Sequence, residues 1–405
     1  MKLLYTLFIC LLTIQYSFAQ NALIDSLFSD GEHKGYSVFS INNTVFQPKF
    51  AISAQEGGYI TCGLAFRQPN SSTFFEHSYI SKIDECGGFD STFNEVGYLS
   101  TGLSDNKVSF NACHQLVNGK IMVAGAAGTS GINLNGMLVR FNPDGSLDNT
   151  FGIDGVIKHV ISATGIDQGF QSIYPKSGGG YVCQGVSQRY FSLVGFNEDG
   201  SLDENFGEDN GMSLILNPVN SVSSEEPGFG KKSSTSGKFS FAQIMRGPDF
   251  NSYLTIGRFN ADGTVDSQFG NQGLLNTNIL ISGVHGMEML SDESMIVAFR
   301  VVENSNIVYK LVKLNEDGSI NNAFGTNGFT TIGNSSTIFV SNLLKTNDDD
   351  FLILGSIKPS GSTYRCWVSK VNANGALLQD FANNGNLIFN FNSTNSDGNL
   401  SFALQ

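Results

Sequence analysis

One tryptophan, eight prolines and only 23 lysines and arginines, against 36 aspartates and glutamates, leave this chain a formal net charge of −13. So few cations provide no surface to neutralise phosphates, which argues against nucleic acid as a partner. Past the N-terminal segment no apolar run approaches the roughly 20 residues of a membrane span, and no segment of helical length is amphipathic. Catalytic signatures are scarce too. The five histidines, His33, His77, His114, His159 and His285, are scattered, with no His-Glu-x-x-His spacing to hold zinc. Neither a Gly-x-Ser-x-Gly elbow nor a phosphate-cradling glycine loop occurs. Cys113 and His114 are neighbours, which in a strand sends their side chains to opposite faces and argues against a nucleophile and base pair.

Glycine and phenylalanine, by contrast, are abundant, at 46 and 33 residues. Both concentrate in one phrase, Phe141-Asn-Pro-Asp-Gly-Ser-Leu-Asp-Asn-Thr-Phe-Gly-Ile-Asp-Gly155. Variants return at 196–211, 259–273 and 314–328, with more worn copies at 83–97 and 371–385 and a fragment at 24–31. The motif phenylalanines fall at Phe28, Phe93, Phe151, Phe206, Phe269, Phe324 and Phe381, at intervals of 55 to 65 residues, and a period of that size signals a repeat architecture. Asp144-Gly145 and its counterparts follow an apolar run and supply the positive φ of a tight turn. The Ser-Leu-Asp-x-x-Phe-Gly that follows suits a single helical turn closed by a left-handed glycine, with Leu and Phe pointing inward. No single loop can bury its phenylalanine alone; six or seven copies in a ring can, each wedged against its neighbour.

Between motifs the chain reads as short strands: 108–116, 120–124, 137–142 and 156–161 in one repeat, and 170–174, 181–185, 191–197 and 212–216 in the next. Short strands separated by turn chemistry argue an all-β fold, and a four-stranded unit of this size repeated in series is one blade of a β-propeller. Six four-stranded blades are expected, with a strand from one terminus completing a blade made by the other. A seventh is open if residues 399–404 and the N-terminal segment add a partial sheet. The Ser-rich stretch 217–238 reads as an exposed loop, and Asn347 to Asp350 as an acidic hairpin tip.

Residues 1–19 combine Lys2, an apolar core over 3–13 and small residues up to Ala19, the pattern of a secretory signal peptide. Residues 20–405 are then one exported β-propeller domain, periplasmic, at the cell surface or secreted. Cys10 lies inside the apolar core, which argues against a lipid anchor. Five cysteines remain, Cys62, Cys86, Cys113, Cys183 and Cys366, an odd number. Cys62 and Cys183 read as small buried hydrophobes, a bridge involving Cys86 is open, and the sequence fixes no pairing.

The phrase 140–152, preceded by Asn118-Gly-Lys-Ile-Met-Val-Ala-Gly125, resembles the delta-60 repeat family of exported bacterial proteins. The resemblance runs over about 24–391 and implies a β-propeller, with no agreed biochemical function. Departures are Asn321 and Leu378 in place of Asp148, and Leu314 and Val371 in place of Phe141.

Asn142, Asp144, Ser146 and Asp148 alternate like the first ligands of a calcium loop. The twelfth position, however, is Ile153, and Leu378 removes one ligand in a later copy, so these carboxylates are expected to cap backbone N–H groups. Catalytic, cofactor-binding and metal residues are therefore all assigned as none. The expectation is a non-catalytic binding or structural scaffold for a protein or glycan. Its alternative is a carbohydrate-active hydrolase or lyase with carboxylates of the kind of Glu288, Asp167 or Glu95 around a central channel.

Overall fold

The computed structural model describes residues 44–389 except 71–72, 102–106, 129–133, 162–166, 188–189, 217–227, 248, 335–337 and 359–364, together with the strands Leu3–Leu7, Cys10–Ile14, Leu23–Ile24 and Phe402–Leu404. No helix occurs among the described residues. The protein is all-β, a β-propeller of six four-stranded antiparallel blades, and within each blade consecutive strands pair in chain order.

Blade 1 comprises Thr44–Ser53, Tyr59–Asn70, Thr73–Ile83 and Tyr98–Thr101. Blade 2 comprises Lys107–Gln115, Ile121–Gly128, Asn135–Phe141 and Val156–His159. Blade 3 takes Asp167–Pro175, Tyr181–Ser187, Tyr190–Phe196 and Met212–Leu216, and blade 4 takes Phe229–Lys232, Phe239–Arg246, Ser252–Phe259 and Leu274–Leu280. Blade 5 is Gly283–Met289, Met295–Glu303, Asn306–Leu314 and Phe329–Asn334; blade 6 is Ile338–Lys345, Phe351–Ile357, Arg365–Val371 and Asn386–Phe389. The chain divides into two compact units, Met1–Ser187 with Phe196–Asp203 and Asn399–Gln405, and Gln188–Gly195 with Glu204–Gly398.

Two expectations change. Blades 1 and 6 are each completed by four consecutive strands of their own, so among the described residues no terminal strand completes another blade; Phe28 and His33 lie outside the described residues. The terminal segments do pair, but beside the six blades: Leu3–Leu7 joins Cys10–Ile14 and Phe402–Leu404, and Cys10–Ile14 joins Leu23–Ile24. The stretch read as a Ser-rich loop also contains the first strand of blade 4, Phe229–Lys232, paired with Phe239–Ala242.

Second strands are buried along almost their whole length, as in Ile121–Gly128, whereas fourth strands alternate, as in Leu274–Leu280. Two-sided burial explains why the second strands read as continuous apolar runs and the fourth as period-two patterns.

The motif joins the third and fourth strands of one blade and packs against the next. Phe93, Phe151, Phe206, Phe269, Phe324 and Phe381 are all buried, none more than 4% exposed. Five of them lie beneath the Asp-Gly glycine, or its counterpart, of the next blade. A Cβ on Gly200 would meet the Phe151 ring at 2.8 Å, on Gly263 the Phe206 ring at 2.4 Å, and on Gly375 the Phe324 ring at 2.9 Å; Gly145 and Gly318 face Phe93 and Phe269 in the same way. A backbone bond accompanies the wedge. The N–H after the phenylalanine donates to the carbonyl before that glycine: Asn94 to Asp144, Gly152 to Asp199, Gly207 to Asp262 and Gly325 to Asn374, at 2.7–2.9 Å. The glycine is thus required by packing as much as by conformation.

The turn itself differs from the expected tight pair of positive φ angles. Only Gly145 is left-handed, at φ 85°, while Gly145 N–H donates to Asn142 O and Asn142 N–H to Ser146 O. This is a four-residue turn closed by a glycine bulge, and Pro143 fits its second position. The expected helical turn is likewise a single β-turn, in which Phe151 N–H donates to Asp148 O before Gly152 turns left-handed at φ 55°.

Candidate functional site

The residues able to do acid–base or ligand chemistry are taken up largely by ion pairs within a blade, some of whose cations also reach the next blade. Asp148 shows the pattern. Its Oδ1 accepts from Thr150 N–H and Oγ1, as the capping expectation requires. Its Oδ2 accepts from Arg140 Nε and from Lys120 Nζ at 2.8 Å. Burial alone would raise this carboxyl; the bonds from Lys120, Thr150 and Arg140 outweigh it and hold the group well below the usual carboxylate range. Arg140 also lies over the Phe151 ring, 4.6 Å from its centroid, and donates from Nη1 to Glu198 O of the next blade.

Blade 4 repeats the arrangement. Asp266 binds Arg258 and Lys238, Arg258 covers Phe269 at 4.0 Å, and its Nη1 donates to Glu316 O. Lys82 pairs with Asp90 and Glu56, Lys176 with Asp203, and Lys370 with Asp350. The acidic hairpin tip is therefore anchored by a buried lysine at its last residue. Blade 3 has Gly195 where blade 2 has Arg140, and Phe206 fills that space: a Cβ on Gly195 would lie 2.5 Å from its ring.

The calcium-like tetrad is divided by these partners. Asp144 Oδ1 accepts from Ser146 N–H and Oγ, Asn142 turns its Nδ2 donor to Ser146 Oγ, and Asp148 is held by two cations. Among the described residues no group of three or more His, Cys, Asp or Glu could hold a metal ion. Replacing Asp148 by asparagine should keep the Thr150 contact but leave Arg140 and Lys120 with one neutral acceptor. The expected loss is about 1.5 kcal/mol in equilibrium urea unfolding; an unchanged midpoint would mean the carboxylate adds nothing.

A second polar layer joins first strands. Each first strand except that of blade 4 carries a bulge at the same depth, skipping Lys49, Asn111, Gln171, His285 and Ser341. Lys49 Nζ donates to Ser109 Oγ and Asn111 Oδ1 at 2.9 and 3.0 Å, and Asn111 Nδ2 to Phe170 O at 2.9 Å. Between blades 4 and 5, Lys231 pairs with Glu288 at 2.8 Å, while Ser233 and Ser236 donate to Glu293. Of the carboxylates considered for a hydrolase, Glu288 is buried in that pair. Glu95 is exposed in the motif turn of blade 1 with φ 61°, and Asp167 is placed only as strand backbone.

The described histidines, His77, His114, His159 and His285, lie on different strands. Burial lowers the pKa of His114 and His159. In His285, burial and the nearby Arg300 outweigh a bond to the Val340 backbone and push the pKa down to about 3. The ring meets Tyr309 and Phe339 edge to face, at 5.1 and 5.8 Å between centroids, and its buried Nε2 has no hydrogen-bond partner among the described residues. Cys62, Cys113, Cys183 and Cys366 are buried thiols and Cys86 is an exposed one.

The inter-blade role of Arg140 and Arg258 escaped the sequence. Its available signal was a basic residue directly before the motif, present as Lys82, Arg140, Arg258, Lys313 and Lys370.

Among solved structures, one from Lactobacillus plantarum is 10% identical, covering 96% of this chain and 100% of that one with a TM-score of 0.45. A polysaccharide lyase, Uly1, is 10% identical over 91% and 86% with a TM-score of 0.47, and a glucose dehydrogenase is 10% identical over 78% and 95% with a TM-score of 0.39. No curated protein sequence matches the chain. Residues 118–151 match the family model described as "Domain of unknown function (DUF5122) beta-propeller". With six four-stranded blades and a recurring phenylalanine motif, the chain is a β-propeller built of sequence repeats, one stretch of which is similar to that family model.

Proposed function

We propose that this protein is an exported, non-catalytic scaffold whose blade loops bind a protein or a glycan. The observation that carries the reading is the engagement of its buried carboxylates. Asp148, Asp266 and Glu288 each face a lysine or arginine, and a catalytic carboxyl needs a free edge toward substrate and a pKa near working pH. The neighbours of Asp148 and Asp266 push the opposite way, holding both carboxyls down. Export rests on residues 1–19, and no helix among the described residues is long and apolar enough to cross a membrane.

The test is a screen of the purified protein on polysaccharide and glycan arrays and against surface-protein extracts. Soluble polysaccharides are assayed in parallel for new reducing ends and for unsaturated uronate. Retention without product is the expected outcome. Product formation that survives repurification would overturn the scaffold reading in favour of a hydrolase or lyase.

A further inference from the structure

Cys62 sits in the middle of the second strand of blade 1, in register with Phe50 on one side and Ile80 on the other. Cys113 lies on the first strand of blade 2, opposite Val123. The two belong to different sheets, yet both are buried in one apolar cluster with Ile60, Ile80, Phe110 and Val123. Within it the Cys113 thiol is in hydrogen-bond contact with that of Cys62, and the buried Tyr79 lies close to both. Two thiols 51 positions apart in sequence therefore face each other across a blade boundary.

We propose that Cys62 and Cys113 form a disulfide that staples blade 1 to blade 2 when the chain folds in an oxidising medium. This inference goes beyond the scaffold reading. The oxidant is a small-molecule or protein disulfide. The Cys62 thiolate attacks one of its sulfurs, forming a mixed disulfide and releasing one thiol. The Cys113 thiolate then attacks the Cys62 sulfur, closing the Cys62–Cys113 bond and releasing the second thiol. Two electrons pass to the oxidant, and the two cysteine protons end on the released thiols.

Contact with Cys62 and burial raise the Cys113 thiol well above its ordinary range, so the docked blades hold it unreactive. The exchange belongs to the folding chain, before blade 2 covers Cys62. The pair leaves Cys86, Cys183 and Cys366 as the remaining thiols of residues 20–405.

The experiment folds the full chain in vitro in a glutathione redox buffer, which separates its outcome from any question of export. The product is denatured, alkylated and mapped by mass spectrometry. Four alkylated cysteines, Cys10 among them, a cross-linked Cys62–Cys113 peptide lighter by two hydrogens, and an unfolding temperature about 5–10 °C lower after reduction are expected. A Cys62→Ala, Cys113→Ala variant should lose the reductant sensitivity, and Cys183→Ala should keep it. Six alkylated cysteines in the oxidised wild-type chain, or a bridge that uses Cys10, Cys86, Cys183 or Cys366 instead, would overturn the proposal whether or not the variants fold.

Discussion

Replacing Phe206 with alanine is expected to lower the unfolding free energy by about 3–5 kcal/mol, the usual cost of removing a buried aromatic ring. The ring lies against Gly195 of its own blade and Gly263 of the next, with 4% exposure, so truncation opens a cavity that neither backbone can easily fill. Gly263→Ala probes the same contact from the other side. It combines a left-handed backbone at φ 87°, costing an L-residue about 1–2 kcal/mol, with overpacking against the ring worth about 1–3 kcal/mol. The decisive measurement is the double variant. With the ring gone the new methyl enters vacated space, so only the backbone strain persists. Equilibrium urea unfolding should then show a double variant more stable than the sum of the single losses by about 1–3 kcal/mol. Additivity within about 0.5 kcal/mol, as for independent sites, would mean that the wedge and the glycine are not one interaction.

That coupling also explains what could be read from the chain beforehand. The period, the strands and the burial of the motif phenylalanines were legible because each depends on local pattern: apolar runs, turn residues and a repeated ring. The partner of each phenylalanine was not legible. Gly145 and Gly200 have a sufficient local explanation in their positive φ, and that explanation hides the packing role they serve for Phe93 and Phe151. Asp148 is a similar case. Its capping of Thr150 follows from the motif, but Lys120 and Arg140 lie 28 and 8 positions away and meet it only once the blade has formed. Terminal strand exchange failed as an expectation for the converse reason: counting strands cannot tell a fourth strand of blade 6 from a strand left over, whereas the pairing of Asn386–Ser369 through Phe389–Cys366 does. The cysteines were legible as apolar fillers, and their approach across two sheets was not.

The largest pH effect should come from His285. Its pKa falls to about 3 in the folded protein, against about 6.5 in an unfolded chain. Between those values the unfolded state binds a proton that the folded state refuses, so stability rises with pH across the window. Conversely, stability present above pH 6.5 is lost progressively as pH falls toward 3. The loss amounts to about 2 kcal/mol by pH 5 and about 5 kcal/mol once both states are protonated. Tyr309, Phe339 and the Val340 backbone surround the imidazole, and none supplies a carboxylate to stabilise a charged ring; Arg300 opposes the charge further. His285→Leu removes the proton site and keeps an apolar side chain among the rings. Its stability at pH 7 will shift by whatever repacking costs, so the informative quantity is the difference between pH 7 and pH 5 within each protein. His114 and His159, whose pKa values burial also lowers, contribute equally to both and cancel. Urea unfolding at the two pH values should show the variant losing about 2 kcal/mol less than the wild type; equal losses would place the acid sensitivity elsewhere and return His285 to a packing residue.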